Sequence, residues 1–194
     1  MSEFSESYHL LTDVRKDVFD LLQRGRCTGY VFEPTNGWTS FVVKYSSFSP
    51  MKELTTQNLG ILLHYVNFEE HGWRFEIFSG SESLGYYENV WDPEWEIKTI
   101  LDGARLKALL PKYLAHLTNE TIDQLLYPKS VDEILESNQQ DAFAEMIQLE
   151  HYSWLTYQHV DNLVHDDRWK DQVSVQHIES KGAVPSHIHK RLNI

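Results

Sequence analysis

Ile61-Leu62-Leu63-His64-Tyr65-Val66-Asn67-Phe68, Glu69-Glu70-His71-Gly72 and Trp73-Arg74-Phe75-Glu76-Ile77-Phe78-Ser79 follow one another without interruption. Two runs rich in β-branched and aromatic residues flank a polar segment that ends in glycine, the pattern of an antiparallel hairpin. Pairing Phe68 with Trp73 sets Val66 opposite Phe75 and His64 opposite Ile77, with Leu62 on the same face. The other face then carries Asn67 opposite Arg74 and Tyr65 opposite Glu76. A sheet built this way is expected to bury one face and leave the other at least partly wet.

Strand signals continue on both sides of the hairpin. Thr28 to Glu33 and Trp38 to Tyr45 flank Pro34-Thr35-Asn36-Gly37, residues suited to a tight turn. With Glu33 facing Trp38, Tyr30 and Phe32 share a face with Thr39 and Phe41. Ser46 to Asn58 is polar, contains Pro50 and reads as a loop, and Leu84 to Trp91 reads as a fifth strand. Before the strands, Leu11, Val14, Val18, Leu21 and Leu22 recur at helical spacing, which predicts a helix over Ser7 to Arg24 ended by a left-handed Gly25.

Helical signals dominate from Asp92 onward. Asp92-Pro93 suits an N-cap and first helical residue, and Thr99 to Leu110 is helical up to Pro111. Thr118 to Tyr127 is closed by Pro128, and Ser130-Val131-Asp132-Glu133 is a capping box. One long helix is expected from Asn138 to His165, apolar around most of its circumference and therefore central. Gln172 to Glu179 suits a short late strand. The expectation is an α+β fold with an antiparallel sheet of five to six strands, mostly within residues 28–91. An N-terminal helix and a helical C-terminal half pack on it. A single domain divides into 1–91 (helix and sheet), 92–180 (mainly helical) and a tail at 181–194.

Composition narrows the function classes. The lone Cys27 excludes an intramolecular disulfide and a multi-cysteine metal site. The polar start has no signal-peptide pattern, and no run approaches the roughly 18 apolar residues of a membrane span. A cytoplasmic protein away from membranes is expected. The net charge of −12 disfavours direct nucleic-acid binding and favours a basic partner.

No Walker loop, dinucleotide fingerprint, G-x-S-x-G or H-E-x-x-H is present, so no cofactor is expected and no reaction can be named. Arg24 and Arg26 lie close enough to lower the pKa of Cys27, although a lone cysteine is more often a small core residue. His151 and His159, if on one helix, are roughly 12 Å apart along its axis and cannot share an ion. Asp161 and His165 have i,i+4 spacing and are the metal ligands of an alternative reading, a metal-dependent hydrolase, with Asp166 or Asp167 as a third ligand. The same spacing suits a local helix ion pair. Glu69 and Glu70 beside His71 occupy a hairpin tip, where solvated carboxylates are poor general acids. His187 and His189 lie in the basic tail with Lys181, Lys190 and Arg191.

Residues 69–96 hold eight acids and one base, a net −7 of the chain's −12. Trp73, Phe75, Phe78, Tyr86, Tyr87, Trp91 and Trp95 alternate with those acids. Tyr86 and Tyr87 point to opposite faces of a strand, so at least one ring reaches the second face of the sheet. Either the later helices cover that face, or it forms an acidic, aromatic surface for a basic protein. The expected partner-binding residues are Glu69, Glu70, Trp73, Glu82, Tyr86, Glu88, Trp91, Glu94 and Trp95. The composition resembles that of small inhibitors and toxin-neutralising immunity proteins, a likeness that rests on no motif and carries no residue across. The reading leans to a non-enzymatic binding protein, with a nucleic-acid mimic as a further alternative.

Overall fold

Ser5–Leu11 is not helical. It forms strand β1, at the centre of an antiparallel sheet, and helix α1 begins only at Arg15 and runs to Gly25. A computed structural model describes residues 4–69, 71–153, 155–166 and 174–180. Ser7, His9 and Ser40 meet on one face of β1 by hydrogen bonds of 2.9 and 2.8 Å to the His9 ring, while Glu6, Tyr8 and Leu10 take the other. Polar residues buried on both sides gave the segment no strand signature. The left-handed residue at the end of α1 is Arg26 (φ 54), one beyond the expected Gly25.

Eight strands form the sheet among the described residues, in the order β7-β6-β5-β4-β1-β3-β2-β8, with every neighbouring pair antiparallel. β2 is Gly29–Phe32, β3 Trp38–Val43, β4 Ile61–Asn67, β5 Gly72–Ser79, β6 Glu82–Val90, β7 Glu96–Thr99 and β8 Val175–Ile178. The expected five or six strands fall short by β1 and β7, which lie in segments read as helical or as the approach to a helix, whereas β8 falls within the late strand expected over Gln172 to Glu179. The loop read over Ser46 to Asn58 contains the short helix α2, Lys52–Thr55.

The central hairpin stands, with its register moved by one residue. Asn67, not Phe68, pairs with Trp73, so Tyr65 meets Phe75, Leu63 meets Ile77 and His64 meets Glu76. The turn explains the shift: the Phe68 amide donates to Gly72 O at 2.8 Å, and Glu69 takes a left-handed φ of 59. A one-residue slip exchanges the faces of every side chain. The first hairpin is corrected likewise, because Val31 pairs with Phe41 and Tyr30 with Val42.

Helices α3 (Gly103–Leu109), α4 (Pro111–Leu114), α5 (Asn119–Leu126), α6 (Val131–Ser137) and α7 (Gln139–Met146) pack on the face bearing Trp38, Leu63, Tyr65, Trp73, Phe75, Ile77 and Tyr87. Side-chain caps start three of them: Asp102 accepts from Arg105 N, Thr118 from Thr121 N and Ser130 from Glu133 N. The ring donors of this face reach helix-layer acceptors, with Trp38 Nε1 donating to Ile147 O at 2.9 Å and Tyr87 OH to Leu126 O at 2.7 Å. Asp92-Pro93 starts no helix; it sits in the turn before β7. The expected long helix is two, α7 and α8 (Tyr157–His165). Gln148 is left-handed (φ 58) after α7, and Thr156 caps α8. Val160 of α8 packs with Tyr30, Phe32, Val42 and Leu155.

On the opposite face, Val18, Leu21 and Leu22 of α1 and Leu54 of α2 cover Tyr8, Leu10, Val31, Phe41, Leu62 and Phe78. That roof is confined to one part of the sheet, and the rest of this face carries polar residues. Glu70, Trp154, Asp167 and the tail at 181–194, with His187, His189, Lys181, Lys190 and Arg191, lie outside the described residues.

Candidate interaction surface

Strand register lays two side-chain rows across the second face. One runs Glu6, Val66, Arg74, Glu88, Lys98, and the other Tyr8, His64, Glu76, Tyr86. At the β1 end the rows are sealed. Glu6 is 2% exposed, His64 1% and Tyr8 0%. A buried carboxylate needs donors around it, and Glu6 has three. His64 Nε2 donates to Oε1 at 2.8 Å, Tyr8 OH to Oε1 at 3.4 Å and the Phe48 amide to Oε2 at 2.7 Å. The Met51 amide in turn donates to Tyr8 OH at 3.0 Å, so the loop before α2 is tied to the sheet twice. Burial pulls the His64 pKa down, opposed by the hydrogen bond and charge of Glu6. Burial and then Glu6 push that of Tyr8 well up.

Toward β7 the rows open. Along β6 the side chains alternate, with Leu84, Tyr86, Glu88 and Val90 half-buried and Gly85, Tyr87 and Asn89 buried. Arg74 Nη1 lies 3.5 Å from Glu88 Oε2, and Lys98 Nζ lies 3.8 Å from Glu88 Oε1 and 2.7 Å from Glu96 Oε2. Burial, followed by a hydrogen bond to Glu88, pushes the Tyr86 phenol up to about 12. Ser83 donates to Glu76. Arg74 and Lys98 interrupt the carboxylates, so the face carries no unbroken line of negative charge.

An aromatic patch borders these rows. Phe4 packs against Phe48 and Phe68 at centroid distances of 5.8 and 6.3 Å, and stacks on His71 at 6.4 Å. The Arg74 guanidinium lies 5.3 Å over the Phe68 ring. Phe48 is held at a left-handed φ of 57, uncommon for a bulky residue. His71 Nδ1 pairs with Asp92 Oδ2 at 2.6 Å.

Of the expected partner-binding residues, Tyr86 and Glu88 lie on the open face, and Glu82 and Glu94 are exposed. Trp95 is 39% exposed, its Nε1 donating to Asn89 Oδ1 at 3.0 Å. Glu69 is half-buried at the hairpin turn, and Trp91 packs at the edge of the helix-covered core. Trp73 is corrected. It is 0% exposed on the helix-covered face and donates to Gln139 Oε1 at 2.9 Å, so it belongs to the core. Phe4, Phe48 and Phe68 were missed. Phe68 and His64 would have emerged from the right hairpin register; Phe4 and Phe48 meet only in three dimensions.

The remaining chemical candidates are weaker. Cys27 is buried, and burial followed by the charge of Glu53 pushes its thiol up to about 11, the reverse of the shift expected from Arg24 and Arg26. Asp161 and His165 are 3.8 Å apart at Oδ1 and Nδ1, but Asp161 Oδ1 also accepts from Tyr30 OH at 2.5 Å, and His165 Nδ1 lies 2.7 Å from the Asp161 carbonyl. Among the described residues no three His, Cys, Asp or Glu side chains are grouped to hold a metal ion. His151 and His159 do not share a helix. Both line a cleft of about 410 Å³ floored by Phe32, Leu155 and Val160, and His151 stacks on Phe32 at 4.7 Å. No helix among the described residues is long and apolar enough to cross a membrane.

The chain matches no protein-family model, no curated protein sequence and no solved structure.

Proposed function

We propose that the chain is a non-enzymatic binding module for a basic protein. Its contact surface is the open sheet face of β5, β6 and β7 together with the acidic turns beside it. The carrying observation is the alternation along β6, which leaves Tyr86 and Glu88 half-buried on a face that none of α3 to α7 covers. Aromatic and guanidinium groups at a half-buried centre, ringed by charge, are the composition of a protein interface. Glu82 and Glu94 lie exposed at the rim, where carboxylates raise encounter rates with a cationic partner.

The test uses an oligo-lysine peptide as probe. The double variant E82K/E94K is compared with E136K/E145K, which reverses two exposed acids of α6 and α7 and changes total charge equally. The expected result is a sharply lower on-rate at low salt for E82K/E94K and a smaller change for the control. Equal losses in the two variants would mean that only net charge matters, and would remove the surface from consideration.

A further inference from the structure

The open face carries an anchor more specific than its charge, an inference that rests on the binding reading above. Phe4 lies just before β1, Phe48 in the loop before α2 and Phe68 just after β4, and their half-buried rings converge beside Arg74. Phe48 is fixed from beneath. Its amide is held by Glu6 Oε2, and Glu6 is clamped by His64 and Tyr8 in a fully buried network. A ring presented on such a support loses little freedom on binding, which favours it as an anchor.

The patch already holds one guanidinium. Arg74 stacks 5.3 Å over Phe68 while its Nη1 lies 3.5 Å from the Glu88 carboxylate. Ring below and carboxylate beside is the environment that suits arginine, whose planar, weakly hydrated cation stacks on aromatic faces where lysine keeps its water. The acidic excess of residues 69–96, the segment that carries Arg74 and Glu88, complements a cationic partner. We propose that the Phe4–Phe48–Phe68 patch binds an arginine side chain of a basic protein partner, packed against the phenyl rings next to Arg74 and Glu88.

Two peptides of equal length and charge, oligo-arginine and oligo-lysine, are titrated against the full chain at physiological salt. The arginine peptide is expected to bind about tenfold tighter. F48L and F4L keep apolar bulk without an aromatic face, and each should reduce that preference to twofold or less while the thermal melt stays close to wild type. Preference retained in both variants, or equal binding of the two peptides to wild type, would overturn the anchor. Equal binding that is still weakened selectively by E82K/E94K would leave the broader binding reading standing. Failure of wild type to bind either peptide would overturn both.

Discussion

His64 Nε2 lies 2.8 Å from Glu6 Oε1, and both side chains are sealed from solvent although they belong to the polar rows of the sheet. On the other face of β1, His9 is equally buried, held between Ser7 and Ser40. Burial, then the nearby His151 and His64, pulls the His9 pKa down to about 3.

These two histidines are expected to make the fold acid-sensitive. Well above pH 6.5 neither the folded nor the unfolded chain protonates them, and they cost nothing. As pH falls below that value the unfolded chain takes up protons first, so stability is lost until the folded pKa is passed. For His9 alone the loss is about 2 kcal/mol by pH 5 and roughly 4–5 kcal/mol by pH 3. His64 adds in the same direction. Denaturant melts at about pH 7.5 and pH 5 should show the drop, and His9→Gln should flatten it. A pH slope unchanged in that variant would assign the sensitivity elsewhere.

Gln139 joins helix layer to sheet. Its Oε1 accepts from Trp73 Nε1 at 2.9 Å and from Asn89 Nδ2 at 2.7 Å, and its Nε2 donates to Tyr87 OH at 3.0 Å. Gln139→Leu strands two buried donors and should cost roughly 2–4 kcal/mol. The urea midpoint should fall with the slope unchanged; a shift below about 0.5 kcal/mol would show that water replaces the amide.

Gly103 marks where α3 meets α5. A Cβ there would lie 2.4 Å from the Asn119 carbonyl oxygen, a backbone atom that cannot swing aside. Gly103→Ala should destabilise by about 2–3 kcal/mol. Gly60→Ala meets only Leu10 Cδ1, at 3.4 Å, and should stay within about 0.5 kcal/mol of wild type. Comparable melting temperatures for the two variants would contradict this packing.

Gln148 ends α7 in a left-handed conformation (φ 58) with its side chain exposed. Gln148→Gly removes a cost of about 1–2 kcal/mol and adds about 0.5–1 kcal/mol of chain entropy, for a net gain of roughly 0.5 kcal/mol. Gln148→Ala should show no such gain. A glycine variant less stable than the alanine one would indicate that side-chain contacts hold this break.

The hairpin of β4 and β5 was legible because two runs of seven and eight residues, rich in β-branched and aromatic side chains, flank a polar turn, and the strand at β6 because its residues alternate. The caps at Thr118 and Ser130 were legible because each is satisfied within three residues of chain. Tyr86 and Glu88 could be named as surface candidates from alternation alone. Trp73 shares a face with Phe75 and Ile77 by alternation alone, and only the packing of α3 to α7 on that face makes it core. β1 was hidden because its strand character depends on partners far along the chain, such as Ser40 for His9 and His64 for Glu6. The break after α7 was hidden because apolar residues on all sides read as one buried helix.

By itself the sequence determined the antiparallel hairpins, the starts of α5 and α6 and the concentration of acid in residues 69–96, all consequences of periodicity, capping and charge within short windows. Tertiary structure alone decided which face the helices cover, where β1 inserts, and that Phe4, Phe48, Phe68 and Arg74 meet. Those depend on strand register and on contacts such as Phe48 N to Glu6, 42 residues apart in the chain. A one-residue change in pairing leaves the local pattern intact and moves every side chain to the opposite face.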